Sequence, residues 1–104
     1  MQFQEGYHTY YIYIITNKTK TVLYTGVTNN LRVRLQQHKE NCILGKPTFA
    51  SRYKAQYLIY YEKFTWIQEA ISREKEIKGW RREKKITLIE TLNPNFEFLD
   101  SLFS

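Results

Sequence analysis

Three stretches of the chain are dense in β-branched and aromatic residues, and polar residues bound each of them. Residues 10–15, 22–27 and 57–62 therefore predict three β-strands. The first consists of tyrosine and isoleucine alone, which is typical of a central strand buried on both faces. The connection over residues 16–21 is short and polar, so the first two strands predict an antiparallel hairpin.

The register of this hairpin decides which side chains meet on one face of the sheet. A turn symmetric about its midpoint would place Tyr13 opposite Tyr24. The same register would place Tyr11 opposite Gly26, whose missing side chain leaves room for a ring or a ligand. We therefore expect Tyr13 and Tyr24 to lie together on one face.

A helical pattern follows the second strand over about residues 31–39, after three residues that all make good N-caps. Leu31 and Leu35 fall on its buried face. Arg34 and His38, one turn apart, lie beside those leucines. This position suits a pair that lines a cleft, but an arginine extending to solvent and a histidine at the rim of the core would show the same pattern.

A second helical pattern runs from about Trp66 to Arg82 and opens with a capping box formed by Thr65 and Gln68. The apolar positions that predict its buried face are Trp66, Ile67, Ala70, Ile71 and Ile77. Glu74 falls within that face, where a carboxylate is costly unless a cation or strong donors meet it. An ion pair with an arginine such as Arg34 and a role as metal ligand explain Glu74 equally well.

A third, short helix is predicted over residues 84–92, and Asn93-Pro94 ends it. Residues 1–8 are expected to be a loose lead-in, and the apolar residues of 96–103 are expected to pack back on the domain. The predicted order of elements is β-β-α-β-α-α, an α+β arrangement within one domain of 104 residues.

Composition narrows the range of partners and compartments. Sixteen basic against ten acidic residues give a formal charge of +6, which favours a polyanion such as nucleic acid, although solubilising charge gives the same count. The single Cys42 excludes an internal disulfide and fits a reducing compartment. The chain shows no signal-peptide pattern and no apolar run of membrane-spanning length, so we expect a cytoplasmic protein.

Two regions predict contacts with nucleic acid. The N-terminus of the first helix presents free backbone N–H groups and the positive end of its dipole, a natural phosphate site. Residues 40–54 are expected to be a loop, and their mixture of basic and aromatic side chains is typical of nucleic-acid contacts. The alternative, a solvated loop with Phe49 tucked beneath it, is equally favoured by the sequence. The candidate contact residues are Asn29, Asn30, Arg32, Lys46, Arg52 and Lys54.

Five further residues suit phosphodiester cleavage, and they are Tyr13, Tyr24, Arg34, His38 and Glu74. A carboxylate can hold a divalent cation that neutralises a phosphate oxygen, and an arginine can bind the charge that develops there. A tyrosine or histidine can take the proton of an attacking water, although a phenol with a pKa near 10 needs a nearby cation to do so. A glycine-rich phosphate loop, zinc-ligand spacing and a nucleophile elbow are all missing from the sequence.

The order and spacing of these residues resemble the GIY-YIG endonuclease superfamily. Its paired tripeptides correspond to Tyr11-Ile12-Tyr13 and Tyr24-Thr25-Gly26. The resemblance continues through Gly26-Val27-Thr28-Asn29-Asn30-Leu31, Arg34, His38, Glu69-Ala70, Glu74, Ile77-Lys78, Trp80 and Asn93-Pro94. It spans residues 10–95 and is strongest to small stand-alone bacterial members, which are similar to the N-terminal nuclease domain of the excision-repair nuclease C subunit.

The resemblance implies a three-stranded antiparallel sheet flanked by helices and one Mg²⁺ or Mn²⁺ site. By position, Tyr13 and Tyr24 match the two motif tyrosines, one of which serves as general base. Arg34 matches the catalytic arginine, His38 a position held by His or Tyr, and Glu74 the metal-binding glutamate. The expected activity is metal-dependent cleavage of DNA, including branched or damaged forms as in DNA repair.

The sequence also departs from the family pattern. Tyr11 replaces the glycine of the first tripeptide, Thr25 replaces the isoleucine of the second, and Val27 stands where the repair nuclease has a lysine. The last change removes a phosphate contact. A nucleic-acid-binding module without turnover, and an interaction protein whose polar set fixes its core, are therefore kept as alternatives.

Overall fold

The computed structural model of the protein describes residues 9–103, so the lead-in expected over residues 1–8 lies outside the described part. Within it, strands β1 (Tyr10–Thr16), β2 (Leu23–Thr28) and β3 (Tyr57–Phe64) form one antiparallel sheet in the order β2-β1-β3. The helices are α1 (Leu31–Leu44), α2 (Phe49–Arg52), α3 (Ile67–Lys78) and α4 (Arg82–Leu92), followed by a 3₁₀ helix (Asp100–Phe103). The predicted α+β class and three-stranded sheet are confirmed.

Both faces of the sheet are covered, as the continuous apolar run of β1 predicts. On one face, Tyr13 and Ile15 pack against α1, α2 and the 3₁₀ helix. On the other, Ile12 and Ile14 pack against α3 and α4. The four consecutive side chains of β1 from Ile12 to Ile15 are at most 1% exposed.

The segment after residue 39 is more helical than its lack of periodicity indicated, so the expected loop over 40–54 is wrong in part. Helix α1 continues to Leu44 and ends where Gly45 adopts the left-handed conformation at φ 67°, which its missing Cβ permits. The backbone N–H of Gly45 bonds to the carbonyl of Asn41. Thr48 then caps α2 by accepting a hydrogen bond from the N–H of Ser51.

The expected start, end and buried face of the second helix are also wrong in detail. Helix α3 begins one residue later than the capping box predicts. Trp66 is at the N-cap and makes no side-chain capping bond. It ends at Lys78, and a separate helix begins at Arg82. Ala70 and Ile77 are buried, but Ile71 is 38% and Trp66 is 63% exposed.

The hairpin register differs by two residues from the symmetric turn that the sequence predicts. Tyr13 pairs with Gly26, Ile15 pairs with Tyr24, and Tyr11 pairs with Thr28. Because the shift is an even number of residues, Tyr13 and Tyr24 still lie on the same face. The expectation that Tyr11 stands opposite Gly26 is wrong, and Tyr13 takes that place.

Side-chain hydrogen bonds in the turn explain this register. The Oδ1 atom of Asn17 accepts from the backbone N–H of Thr21 at 2.8 Å and of Val22 at 3.1 Å. The hydroxyl of Thr16 donates to the carbonyl of Val22 at 2.6 Å. Lys20 adopts the left-handed conformation at φ 61°. These contacts fix an asymmetric turn whose centre lies one residue later than that of the symmetric turn.

The C-terminal segment covers the edge strand β3, which confirms that it packs back on the domain. A bulge opposite Ile14 and Ile15 turns two successive residues, Ile59 and Tyr60, toward α3 and α4. The Nδ2 atom of Asn93 donates to the carbonyl of Ile59 at 3.0 Å. Two further hydrogen bonds join this segment to the strand. The N–H of Leu99 donates to the carbonyl of Leu58 at 2.7 Å, and the N–H of Leu58 donates to Oδ1 of Asp100 at 2.9 Å.

Candidate active site

The candidate site is built around Tyr13, whose ring fills the space above Gly26. A Cβ placed on Gly26 would lie 2.9 Å from Cε2 of Tyr13 and still closer to the hydroxyl end of the ring. Only glycine therefore permits the tyrosine to lie across its neighbour strand in this way. The side chain is 1% exposed, and its hydroxyl points toward α1.

Two side chains of α1 hold the hydroxyl of Tyr13. The Nε–H of Arg34 donates to its oxygen at 3.3 Å, and the hydroxyl lies 2.8 Å from Nε2 of His38. Arg34 and His38 are one helical turn apart, so both reach the same atom from one face of α1. Asn30 sets the start of that helix by accepting a hydrogen bond from Val33 N. His38 is 3% exposed, so it lies within the core and not at its rim, whereas Arg34 is only partly buried.

The electrostatics of these groups assign the direction of the hydrogen bonds. Burial raises the pKa of Tyr13 to about 12, although the hydrogen bond and the charge of Arg34 act to lower it. Burial and the charge of Arg34 together lower the pKa of His38 to about 4. At neutral pH the phenol is protonated and the imidazole is uncharged, so Tyr13 donates to Nε2 of His38 and accepts from Arg34.

Tyr24 lies beside this group and not directly opposite Tyr13. Its ring meets the imidazole of His38 edge-to-face, with centroids 5.6 Å apart. On its other side it stacks on Phe49 with centroids 6.1 Å apart. Tyr24 is half-buried, so unlike Tyr13 it retains contact with solvent.

Glu74 reaches the same site from α3, which packs against β1 and β2. Its side chain is 13% exposed, and its Oε2 lies 2.6 Å from Nζ of Lys78. That ammonium group is 5.8 Å from the ring centroid of Tyr24. The charge of Glu74 also contributes a small rise to the pKa of Tyr13. The structure thus brings four of the five side chains that the sequence singled out into direct contact, and Glu74 joins them through Lys78.

Lys78 is the residue of this cluster that the sequence analysis did not select. Glu74 forms an ion pair, but the expected arginine partner is wrong, because the partner is Lys78. The signal was present in the sequence, since a glutamate four residues before a lysine favours a contact on one helix face.

The comparisons with known proteins decide the family. The profile of the GIY-YIG catalytic domain matches residues 9–87. This chain belongs to the GIY-YIG family. The match covers β1 to the middle of α4 and therefore includes all five residues of the site.

Several small bacterial proteins are similar to this GIY-YIG chain over most of their length. A UPF0213 protein of Clostridium perfringens is 40% identical over 78% of this chain and 83% of its own. A UPF0213 protein of Staphylococcus haemolyticus is 37% identical over 78% of this chain and 94% of its own. The solution NMR structure of the UPF0213 protein BH0048 from Bacillus halodurans has a TM-score of 0.53 and 28% identity, covering 86% of this chain and 90% of that one.

The family places the protein among nucleases, a class of hydrolases that bind nucleic acid. GIY-YIG nucleases are generally dependent on a divalent metal ion. No helix within residues 9–103 is long and apolar enough to cross a membrane. The nuclease class agrees with the basic charge of +6.

The donor set of the GIY-YIG site fits a hard divalent cation held by one carboxylate. Glu74 offers the hard carboxylate oxygens that such a cation prefers, and in this structure its Oε2 atom pairs with the ammonium group of Lys78. Within residues 9–103, no group of three or more His, Cys, Asp and Glu side chains could hold a metal ion. Mg²⁺ keeps several waters and binds through one or two carboxylates, so a single glutamate with water ligands is a suitable site.

The six predicted nucleic-acid contacts are all exposed and fall into two groups. Asn29, Asn30 and Arg32 line a shallow pocket at the N-terminus of α1. Asn30 also has the capping role there, so its side chain is partly committed to the helix. Lys46, Arg52 and Lys54 surround the short helix α2.

Two aromatic side chains of this second region are exposed. Phe49 is 52% and Tyr53 is 48% exposed, and their ring centroids are 4.9 Å apart. The alternative in which Phe49 is tucked beneath a loop is therefore wrong. Because Phe49 also stacks on Tyr24, the three rings of Tyr24, Phe49 and Tyr53 form an aromatic row that leads from the site to the surface.

Proposed function

We propose that this GIY-YIG protein, as a single domain over residues 1–104, is a divalent-metal-dependent endonuclease that hydrolyses phosphodiester bonds of DNA. The observation that carries the proposal is the convergence of five side chains from four separate elements of the chain, namely Tyr13, Tyr24, Arg34, His38 and Glu74. A plain basic domain has no need for a buried phenol bonded to both a guanidinium and an imidazole, together with a carboxylate that is only 13% exposed.

In this proposal Glu74 binds Mg²⁺ or Mn²⁺ at one site. The bound cation supplies charge neutralisation for a phosphate oxygen and for the leaving group. Arg34 places a second positive charge beside the phosphate as negative charge develops there. Its Nη1 atom is held by the side-chain oxygen of Gln37 at 3.0 Å, which restricts the orientation of the guanidinium.

Tyr24 is the better of the two tyrosines for taking the proton of an attacking water. It is half-buried, and it lies beside the pair formed by Glu74 and Lys78. Tyr13 is 1% exposed, and its hydroxyl is already engaged by Arg34 and His38. We therefore assign Tyr24 as general base and Tyr13 with His38 as positioning residues that orient Arg34.

The surface around the site supports DNA with unpaired bases, such as branched or damaged forms, as the substrate. Exposed aromatic rings stack on bases that are not enclosed in a duplex, and nearby cations hold the phosphates. The aromatic row lies on the same segment as Lys46, Arg52 and Lys54. Asn29, Arg32 and the N-terminus of α1, which precede Arg34 along the chain, would supply a second set of phosphate contacts. Such a substrate would place the protein in DNA repair.

One experiment tests the proposed activity directly. The full chain is incubated with supercoiled plasmid and with a gapped duplex in the presence of Mg²⁺ or Mn²⁺. We expect nicking by the wild type and a loss of at least 100-fold in Glu74→Gln, because removing the charge of a single-carboxylate site removes most of its affinity for the cation. Glu69→Gln is the matched control, since Glu69 is an exposed carboxylate in the first turn of the same helix.

Two results would contradict this proposal. Nicking that persists in Glu74→Gln would show that Glu74 is not the metal ligand. DNA binding without cleavage under either metal would favour the alternative of a nucleic-acid-binding module. One observation favours that alternative, because an ammonium group already neutralises the carboxylate that the cation would need.

A further inference from the structure

We propose that Lys78 is a positioning residue whose ammonium group occupies the place of the divalent cation in the metal-free protein. Its ammonium group holds the Glu74 carboxylate beside Tyr24 until a divalent cation displaces it. The inference rests on the proposed function, since it takes Glu74 as the metal ligand, and it adds a residue that competes with the metal for the same oxygen.

The geometry of the pair carries the proposal. The Nζ atom of Lys78 lies 2.6 Å from Oε2 of Glu74, a contact as short as a charge-assisted hydrogen bond. Glutamate precedes lysine by four residues, which is the favourable order on a helix. Glu74 is the more shielded partner, since its side chain is only 13% exposed while that of Lys78 is 48% exposed.

A second contact directs Lys78 over the site instead of outward. Its ammonium group lies 5.8 Å from the ring centroid of Tyr24, within the range of a cation–π interaction. The same α3 helix carries a second ion pair, between Arg73 and Glu76, whose guanidinium lies 5.3 Å from the ring centroid of Trp80, a residue outside the proposed site, and whose carboxylate side chain is 54% exposed. The pair of Glu74 and Lys78 is thus distinguished from an ordinary surface pair by its position against a proposed catalytic ring.

Displacement follows from the chemistry of the two cations. A divalent ion that binds Oε2 would lie within a few ångströms of the ammonium group, and the two positive charges would repel each other. Lys78 is half exposed and has a flexible four-carbon stem, so it can move into solvent when the metal binds. Metal affinity therefore includes the cost of breaking the pair, and removing the ammonium group should strengthen metal binding.

The test measures binding of Mn²⁺ to the full chain by electron paramagnetic resonance and by calorimetry, without DNA. We expect Lys78→Met to bind Mn²⁺ about five-fold more tightly than the wild type, since one screened charge near the ion is removed. Lys75→Met removes the same charge from an exposed position of the same helix and should stay within about two-fold of the wild type. Thermal unfolding of each variant checks that the fold is retained.

A second readout requires no metal. Because Lys78 lies over Tyr24, Lys78→Met should shift the ring proton resonances of Tyr24 in the metal-free protein, whereas Lys75→Met should leave them in place. Equal or weaker Mn²⁺ binding in Lys78→Met, or unmoved Tyr24 resonances, would overturn the role of Lys78. Full Mn²⁺ binding in Glu74→Gln would instead overturn the proposed metal site, and with it the displacement step.

Discussion

Tyr13 and Gly26 stand directly opposite each other in the β1–β2 pair, and the tyrosine ring occupies the space that a side chain at position 26 would need. The glycine that completes the second tripeptide of the family pattern is therefore a steric requirement of the tyrosine in the first. This contact sets where the Tyr13 hydroxyl meets Arg34 and His38.

Gly26→Ala should both destabilise the fold and reduce activity. The added methyl group would collide with the ring of Tyr13, which is 1% exposed and has no free space to move into. Overpacking of this kind costs roughly 1–3 kcal/mol in free energy of unfolding. Urea denaturation measures the change, and a nicking assay measures the accompanying loss of activity.

Gly79→Ala is the control for this substitution. A Cβ at Gly79 would meet only backbone oxygens at 3.5 and 3.8 Å, which is ordinary contact, and the residue has a right-handed helical conformation. Its free energy of unfolding should be unchanged or slightly raised. Equal destabilisation by both substitutions would show that the close approach of Tyr13 to Gly26 is not the cause.

The stability of the protein should fall as the pH is lowered from 6.5 to 4 because of His38. Burial and Arg34 lower the pKa of His38 to about 4 in the folded protein, against about 6.5 in the unfolded chain. Between these values the unfolded state binds more protons, so the stabilisation is complete above pH 6.5 and is lost as the pH falls toward 4. The expected loss between pH 7.5 and pH 5.0 is about 2 kcal/mol.

Urea denaturation at pH 7.5 and 5.0 measures this effect in the wild type and in His38→Gln. Glutamine can still bond to the hydroxyl of Tyr13 but does not titrate, so the pH dependence of the variant should be smaller by about 2 kcal/mol. An identical pH dependence in the two proteins would mean that His38 is protonated in the folded state as readily as in the unfolded chain.

The sequence predicted those parts of the fold that depend on local residue type. The β-branched and aromatic runs located all three strands to within two residues, and Asn30 was among the expected N-caps. The hairpin register was not predictable from residue type, because side-chain hydrogen bonds from Thr16 and Asn17 select it. A symmetric turn was the wrong assumption.

The candidate site was predictable as a set but not in its contacts. The alternation of side chains along the strands predicted that Tyr13 and Tyr24 lie on one face. The observed register differs from the predicted one by two residues, an even number, so the two tyrosines still share that face. The pairing of Glu74 with Lys78 follows from their spacing of four residues on one helix, whereas the absence of an Arg34 contact depends on how α3 approaches β2. That approach is a result of tertiary packing and leaves no local pattern.

The aromatic row should contribute to binding of unpaired bases. Phe49→Leu keeps the apolar surface but removes the ring, and stacking on one base is worth roughly 1–3 kcal/mol. We expect about 5- to 100-fold weaker binding of a gapped duplex or a single strand, and little change for an intact duplex. Fluorescence anisotropy in the presence of a chelator measures binding without cleavage.

Ile43→Ala is the control for the aromatic row. Ile43 is 83% exposed near the C-terminal end of α1, so it tests whether any loss of exposed apolar surface weakens binding. Its affinity for each DNA should equal that of the wild type. Equal losses for intact and gapped DNA in Phe49→Leu would contradict stacking on unpaired bases.

Thr25→Val should stabilise the protein. Within residues 9–103, the hydroxyl of Thr25 is buried without a hydrogen-bond partner, and the residue is 3% exposed. Valine has nearly the same shape and is also β-branched, so it removes the unsatisfied group without leaving a cavity. The free energy of unfolding should rise by about 1 kcal/mol, as measured by urea denaturation. A decrease would show that the hydroxyl has a partner in solution.

Asn93→Ala should be among the most destabilising changes outside the site. The buried Asn93 side chain donates to the carbonyls of Ile59 at 3.0 Å and Glu97 at 2.8 Å, and accepts from Glu97 N at 3.0 Å. It therefore provides a hydrogen-bond donor for the backbone carbonyl of Ile59 at the bulge of β3, and it connects that strand to the C-terminal segment. Alanine would leave these backbone groups unpaired, at a cost of roughly 2–4 kcal/mol.

Asn95→Ala, at an exposed position two residues later, is the control and should change stability by less than about 0.5 kcal/mol. A small effect of Asn93→Ala in urea denaturation would mean that water replaces the asparagine and that the C-terminal segment does not depend on it.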